Sequence, residues 1–194
     1  MRVLSLSFVL SCSVLVSSLV SAVTLVTEAD KDASILREGE DCLDCPHNAC
    51  GECMYGTKDT LHVHRSPDGW GNALIGFHMP VEGSQVQQCF IHLPLFLAEH
   101  SSNFVVTVST TTGSFWDEHT VSNITAPAYG SVLGGSINVP PNAPHIEPID
   151  ATEACQNAVN GEFSVYISVY HGEFKLPSRE SNGAAQLHIA TKEA

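Results

Sequence analysis

Positive charge is scarce in this chain. Eight Lys and Arg stand against twenty-one Asp and Glu in 194 residues, a formal charge of −13 at pH 7. A surface of that sign repels phosphate backbones and anionic headgroups, which excludes nucleic acid and acidic lipid as partners. Catalytic signatures are missing as well. There is no Gly-x-Ser-x-Gly nucleophile turn, no His-Glu-x-x-His metal helix and no papain-like cysteine context. The separation of two carboxylates in space is invisible in a sequence, so a paired-carboxylate glycosidase stays open as a third-ranked reading. Beyond the first 22 residues no apolar run is long enough to span a bilayer.

Those first residues, MRVLSLSFVLSCSVLVSSLVSA, place Arg2 ahead of a serine-dotted apolar stretch that closes on Val20-Ser21-Ala22. This is the shape of a secretory signal with a small-x-small cleavage site. An uncleaved anchor is the competing reading, but seven serines and no basic cluster beyond Arg2 favour the signal. The expected mature protein is residues 23–194, a single extracellular domain free of the membrane. Loss of Arg2 and Cys12 leaves a formal charge of −14 and six cysteines. An even set of cysteines in an oxidising compartment is expected to form disulfides.

Four of the six fall in DCLDCPHNACGEC, residues 41–53, with the spacing C-x2-C-x4-C-x2-C. Zinc modules separate their two knuckles by about a dozen residues or more, so that the chain can wrap the ion. Here only Pro-His-Asn-Ala intervenes, a tight turn with His47 in it. Two antiparallel arms about that turn pair Cys42 with Cys53 and Cys45 with Cys50, and leave Cys89 for Cys155. No βαβ pattern surrounds the motif to suggest a redox C-x-x-C.

After this loop, short runs rich in Val, Ile, Thr and aromatics alternate with turn residues. They are TLHVHR (60–65), NALIGFHMP (72–80), QCFIHLPLF (88–96), NFVVTVSTTT (103–112), EFSVYISVYHG (162–172) and AQLHIAT (185–191). Such runs read as strands, and their spacing predicts an all-β fold, an antiparallel β-sandwich of jelly-roll type. IDATEACQNAVNGE (149–162) departs from alternation: Ala151, Ala154, Cys155, Ala158 and Val159 have helical spacing. Asp150 and Glu153 suit a capping box, and Gly161 suits the helix end. SINVPPNAPHIEP (136–148) reads as a loop, because proline cannot donate to a strand ladder.

In order, Asp32-Ala33-Ser34-Ile35, Tyr55-Gly56 with Leu61-His62-Val63, Trp116-Asp117-Glu118-His119-Thr120-Val121, Asp150-Ala151-Thr152 and Ser178-Arg179-Glu180 form a series of motifs. With these the chain resembles carbohydrate-binding module family 96, the secreted DNRLRE-type jelly-roll domains, from about residue 28 to 190. The resemblance implies a non-catalytic module recognising a cell-wall or matrix polysaccharide. The family's association with acidic polysaccharides such as alginate fits poorly with a charge of −14, so neutral glycans are admitted alongside them. The Cys-rich loop is an insertion between the first two motifs. A secreted structural or adhesive matrix protein of the same fold, without sugar affinity, is the alternative.

Candidate site residues follow from parity. In FSVYISVY, Phe163, Val165, Ile167 and Val169 take one face, and Ser164, Tyr166, Ser168 and Tyr170 the other. Tyr166 and Tyr170 then offer rings for stacking sugars among hydroxyls, with Trp70 in the turn of RSPDGWGN as a rim contact. The competing role for both tyrosines is cross-strand packing. Glu28, Asp30 and Asp32 share a face if they lie on one strand, and three such oxygen ligands suit a structural calcium ion; a solvated strand edge is the plainer reading. His62, His64, His92 and His188 oppose the apolar positions of their strands, and together they would bind metal or change charge in acid. They are otherwise the polar faces of separate strands. Asn123-Ile124-Thr125 is the one glycosylation sequon.

Overall fold

The computed structural model describes residues 23–37, 45 and 50–192. The expected signal at 1–22, the turn residue His47 and Cys42 lie outside them, and the side chain of Cys50 is likewise not described. Eleven strands run through the described residues in the order β1 (Thr24–Glu28), β2 (Lys31–Leu36), β3 (Thr60–Ser66), β4 (Gly69–His78), β5 (Val86–His92), β6 (Phe104–Thr111), β7 (Tyr129–Val139), β8 (Ile149–Asp150), β9 (Glu162–Val169), β10 (Gly172–Pro177) and β11 (Gln186–Thr191). One short helix, α1 (Thr152–Gln156), precedes β9. The strands form two antiparallel sheets, β1-β11-β5-β8 and the larger β10-β3-β4-β9-β6-β7, with β2 also paired to β4.

The sandwich core follows the predicted parity. Phe163, Val165, Ile167 and Val169 of β9 pack with Ala73, Ile75 and Phe77 of β4 and with Val106 and Val108 of β6. The smaller sheet contributes Cys89, Ile91, Leu187 and Ile189. β4 is buried on both faces, because its outward Leu74 enters a second cluster with Ala33, Ile35, Val121 and Tyr166. That explains the unbroken apolar run Ala-Leu-Ile in a strand of this sheet. A layer is needed to cover the outer face of the larger sheet, and the connection between β6 and β7 supplies it: Trp116 and Ala126 pack on the cluster.

Several sequence expectations need correction. Cys45 is bonded to Cys53, with Cα atoms 6.0 Å apart, so neither the expected Cys45–Cys50 bond nor the expected Cys42–Cys53 bond forms; a 3-10 turn at Cys50–Glu52 leads into Cys53. The expected Cys89–Cys155 bond is present and ties β5 to α1. The helix is shorter than the periodic segment. Asn160 and Gly161 both have positive φ, 54° and 76°, and Val159 bridges Glu162, so Asn-Gly makes a primed hairpin turn and does not end a helix. Asp150 does bond the N–H of Thr152, at 2.9 Å. The segment read as a loop from residue 136 is strand as far as Val139, since the first proline comes only at 140.

Tyr55-Gly56 sits against the covering segment so closely that a Cβ on Gly56 would lie 1.9 Å from the Glu118 carbonyl oxygen. Backbone, not a flexible side chain, blocks it. Gly56→Ala is expected to cost about 3 kcal/mol through forced displacement. Gly113→Ala, with nothing within 4 Å, serves as the near-neutral control; thermal melts of the two variants check the difference.

Candidate functional site

The covering segment 114–128 is fastened by polar bonds at both ends. The Lys31 ammonium donates to the Ser114 carbonyl at 2.7 Å and lies over the Trp116 ring, 5.0 Å from its centroid. The Trp116 indole N–H donates to Ser164 Oγ at 2.9 Å, and the Tyr166 hydroxyl donates to the Pro127 carbonyl at 2.8 Å. Between them Glu118 is buried: it accepts the N–H of Asp32 and the guanidinium of Arg179. Arg179 in turn donates its backbone N–H to Asp32 Oδ2 at 2.9 Å. Residues from the first, third and last sequence motifs thus meet in one ionic knot.

This arrangement decides the fate of the residues proposed from parity. Tyr166 does face outward, but it is only 2% exposed because the segment lies over it, and Tyr129 stacks on its ring at 4.3 Å. It cannot offer a face to a sugar. Tyr170, one residue past β9, is 80% exposed. Its ring stands alone with His171, 6.3 Å away, and the two tyrosines make no common platform. Trp70 is not in an exposed turn. It belongs to β4, pairs with Arg65 and packs half-buried on the second cluster.

Glu28, Asp30 and Asp32 are not on one strand. β1 ends at Glu28 in the smaller sheet, the chain crosses at Ala29 and Asp30, and β2 begins at Lys31 in the larger. Glu28 and Asp30 are exposed, whereas Asp32 is 1% exposed and accepts the Arg179 backbone N–H, so it is not at an open cation site. Among the described residues no three His, Cys, Asp or Glu side chains are gathered to hold a metal ion. The four histidines likewise separate into two pairs. His62 and His64 lie 4.6 Å apart on the larger sheet, and His92 and His188 stack at 3.9 Å on the smaller. Asn123 is half-buried in the covering segment, where the Ile124 N–H donates to the Gly51 carbonyl.

A better candidate than the tyrosine face is a cleft of about 410 Å³ at one end of the sandwich, within the usual range for small-ligand sites. One wall is the turn Thr110 to Phe115 after β6, and another is Ser131 to Leu133 of β7. The third combines Glu153 and Asn157 at α1 with Val159 and Glu162 at the β9 hairpin. The turn is stiffened from within: Thr111 Oγ1 donates to the Gly113 carbonyl at 2.7 Å, and the Ser131 N–H donates to Thr110 Oγ1 at 2.9 Å. Phe115, between the anchored Ser114 and Trp116, is 77% exposed. An exposed aromatic ring, several hydroxyls, an amide and two carboxylates around one cleft suit a ligand with apolar C–H faces and many hydroxyl groups. No Lys or Arg lines it, although Lys31 bonds the Ser114 carbonyl and ion-pairs with Glu162 at 3.7 Å. No strand parity marks Phe115 in the sequence, because a loop presents it.

The sequence profile of carbohydrate-binding module family 96 matches residues 51–191. The chain belongs to that family. An uncharacterized secreted protein of Arthroderma benhamiae is 37% identical over 165 residues, covering 84% of this chain and 83% of the relative. The secreted relative and the Cys89–Cys155 disulfide both mark an extracellular protein. The family match begins at Gly51, so Asp32 lies outside it while its partners Glu118 and Arg179 lie within. No helix among the described residues is long and apolar enough to cross a membrane.

Burial, with further repulsion from Glu180 and Glu118, raises the Asp32 carboxyl from 3.8 to about 7. The folded state therefore holds this proton where the unfolded chain has lost it, and stability from this group falls as pH rises from about 4 through 7. Burial and the neighbouring His64 and Lys175 lower His62 from 6.5 to about 4; its contribution has the opposite slope and is lost as pH falls through that window. Asp32→Asn keeps an acceptor for Arg179 and is expected to flatten the alkaline loss, by at most ~4 kcal/mol between pH 4 and 8. His62→Gln is expected to flatten the acid loss. Urea melts across pH 4–8 separate the two.

Proposed function

We propose that this family 96 module is a secreted, non-catalytic binder of a neutral cell-wall or matrix polysaccharide, and that the cleft beneath Phe115 holds one or two sugar residues. The observation that carries the reading is the exposed Phe115 ring, set between anchored Ser114 and Trp116 beside hydroxyls and carboxylates, in a protein of matching family. A pyranose lays its C–H face on the ring while its hydroxyls donate to Glu153 and Glu162 and exchange bonds with Asn157 and Ser131. The two lining carboxylates, Glu153 and Glu162, and the net negative charge favour an uncharged glycan over a polyuronate. Removal of a signal at 1–22 and an N-glycan at Asn123 belong to the same secreted reading.

A glycan array on the mature protein identifies the ligand. Phe115→Ala is expected to weaken retention at least ~10-fold, since ring stacking contributes on the order of 1–1.5 kcal/mol beyond the area it buries. The melting temperature should stay within about 2 °C, because the ring touches little of the core. Tyr170→Ala is expected to bind like the parent. Retention unaffected by Phe115→Ala, or lost with Tyr170→Ala, places the site elsewhere. Incubation with the bound glycan should release no reducing ends; release identifies an enzyme instead.

A further inference from the structure

The outer face of the smaller sheet carries a histidine group that the cleft does not use. In the pairing of β11 with β5, His188 lies opposite Phe90 and His92 opposite Gln186, which makes the two histidines diagonal neighbours on one face. Their alternates Leu187, Ile189, Cys89 and Ile91 fill the core, so the imidazoles point away from it. The rings stack with centroids 3.9 Å apart and planes 24° from parallel.

The charges around this group have one sign. Glu28 of β1 lies opposite Gln186 in the row that ends at His92, and Asp150 of β8 lies opposite Phe90 in the row of His188. β1, β5, β8 and β11 contain no Lys or Arg at all. A face with clustered imidazoles, flanking carboxylates and no cation is chemically suited to a positive ligand. We propose that His92 and His188 bind a divalent transition-metal ion of the zinc or copper class. Imidazole nitrogen matches those ions, whereas calcium and magnesium prefer oxygen ligands. The two histidines are placed in advance by strand register, and water fills the remaining positions. The ring stack is then the metal-free resting state of the pair, and the proposal is independent of the sugar cleft.

Zinc titration of the mature, disulfide-intact chain at pH 7.5 tests this by calorimetry. One zinc per chain is expected, undiminished by excess magnesium. The double variant His92→Gln/His188→Gln should lose at least ~10-fold in affinity, while His62→Gln/His64→Gln keeps that of the parent. In the unmodified protein, ring signals of His92 and His188 in NMR spectra should shift on adding zinc, which keeps the test valid if the double variant folds poorly. No zinc binding, parental affinity in the His92/His188 variant, or ring signals unmoved while zinc binds overturns the proposal.

Discussion

The contact on which the rest of this molecule depends is the bond between the buried Glu118 carboxylate and the partly exposed Arg179 guanidinium. Taking a carboxylate out of water is costly unless a counter-charge meets it and its remaining acceptor positions are satisfied. Here Asp32 supplies the balance, donating its N–H to Glu118 and accepting that of Arg179. The Glu118 bond holds Arg179 above its ordinary value, so the guanidinium stays charged. Three segments distant in sequence are joined at one point, and the Glu118 backbone is pressed against Gly56 from a fourth.

Fixing Glu118 fixes the covering segment, with consequences in two directions. Inward, Val121, Trp116 and Ala126 close a second apolar cluster over Leu74 and Tyr166, so the larger sheet is buried on part of both faces. Outward, the anchored neighbours of Phe115 leave its ring exposed to solvent at the cleft. The family points to carbohydrate binding, and the contact proposed for it is a loop-borne ring in place of the face of a strand.

Much of the fold was legible where burial is one-sided. β9 reads as a strand because Phe163, Val165, Ile167 and Val169 must share the core, and the structure uses that parity without change. β7 was partly missed because Tyr129 to Val139 is rich in Gly and Ser, with Gly134 and Gly135 at positive φ, and lacks an alternating apolar signature. The helix was overextended because Ala158 and Val159 continue its period, while Asn160-Gly161 turns the chain for a hairpin. The candidate site was less legible than the fold. Parity tells which way Tyr166 points, but not that a segment some forty residues earlier lies on top of it. The spacing of Glu28, Asp30 and Asp32 implied one face only if one strand held all three, and a crossing between sheets at Ala29 is silent in the sequence. The disulfide loop was misread for a related reason, since spacing alone does not say which of the other three close cysteines meets Cys53, and the partner is Cys45.

The central claim is that the anchored covering segment creates the binding site at its Phe115 end. Amide chemical-shift mapping with the neutral oligosaccharide selected on an array tests it most directly. The account predicts saturable shifts in Thr110–Phe115, Ser131–Leu133 and Asn157, with Tyr170 and the outer face of the smaller sheet unmoved. Shifts confined to Tyr170 or to the strands around His92 and His188, with the cleft silent, would contradict it.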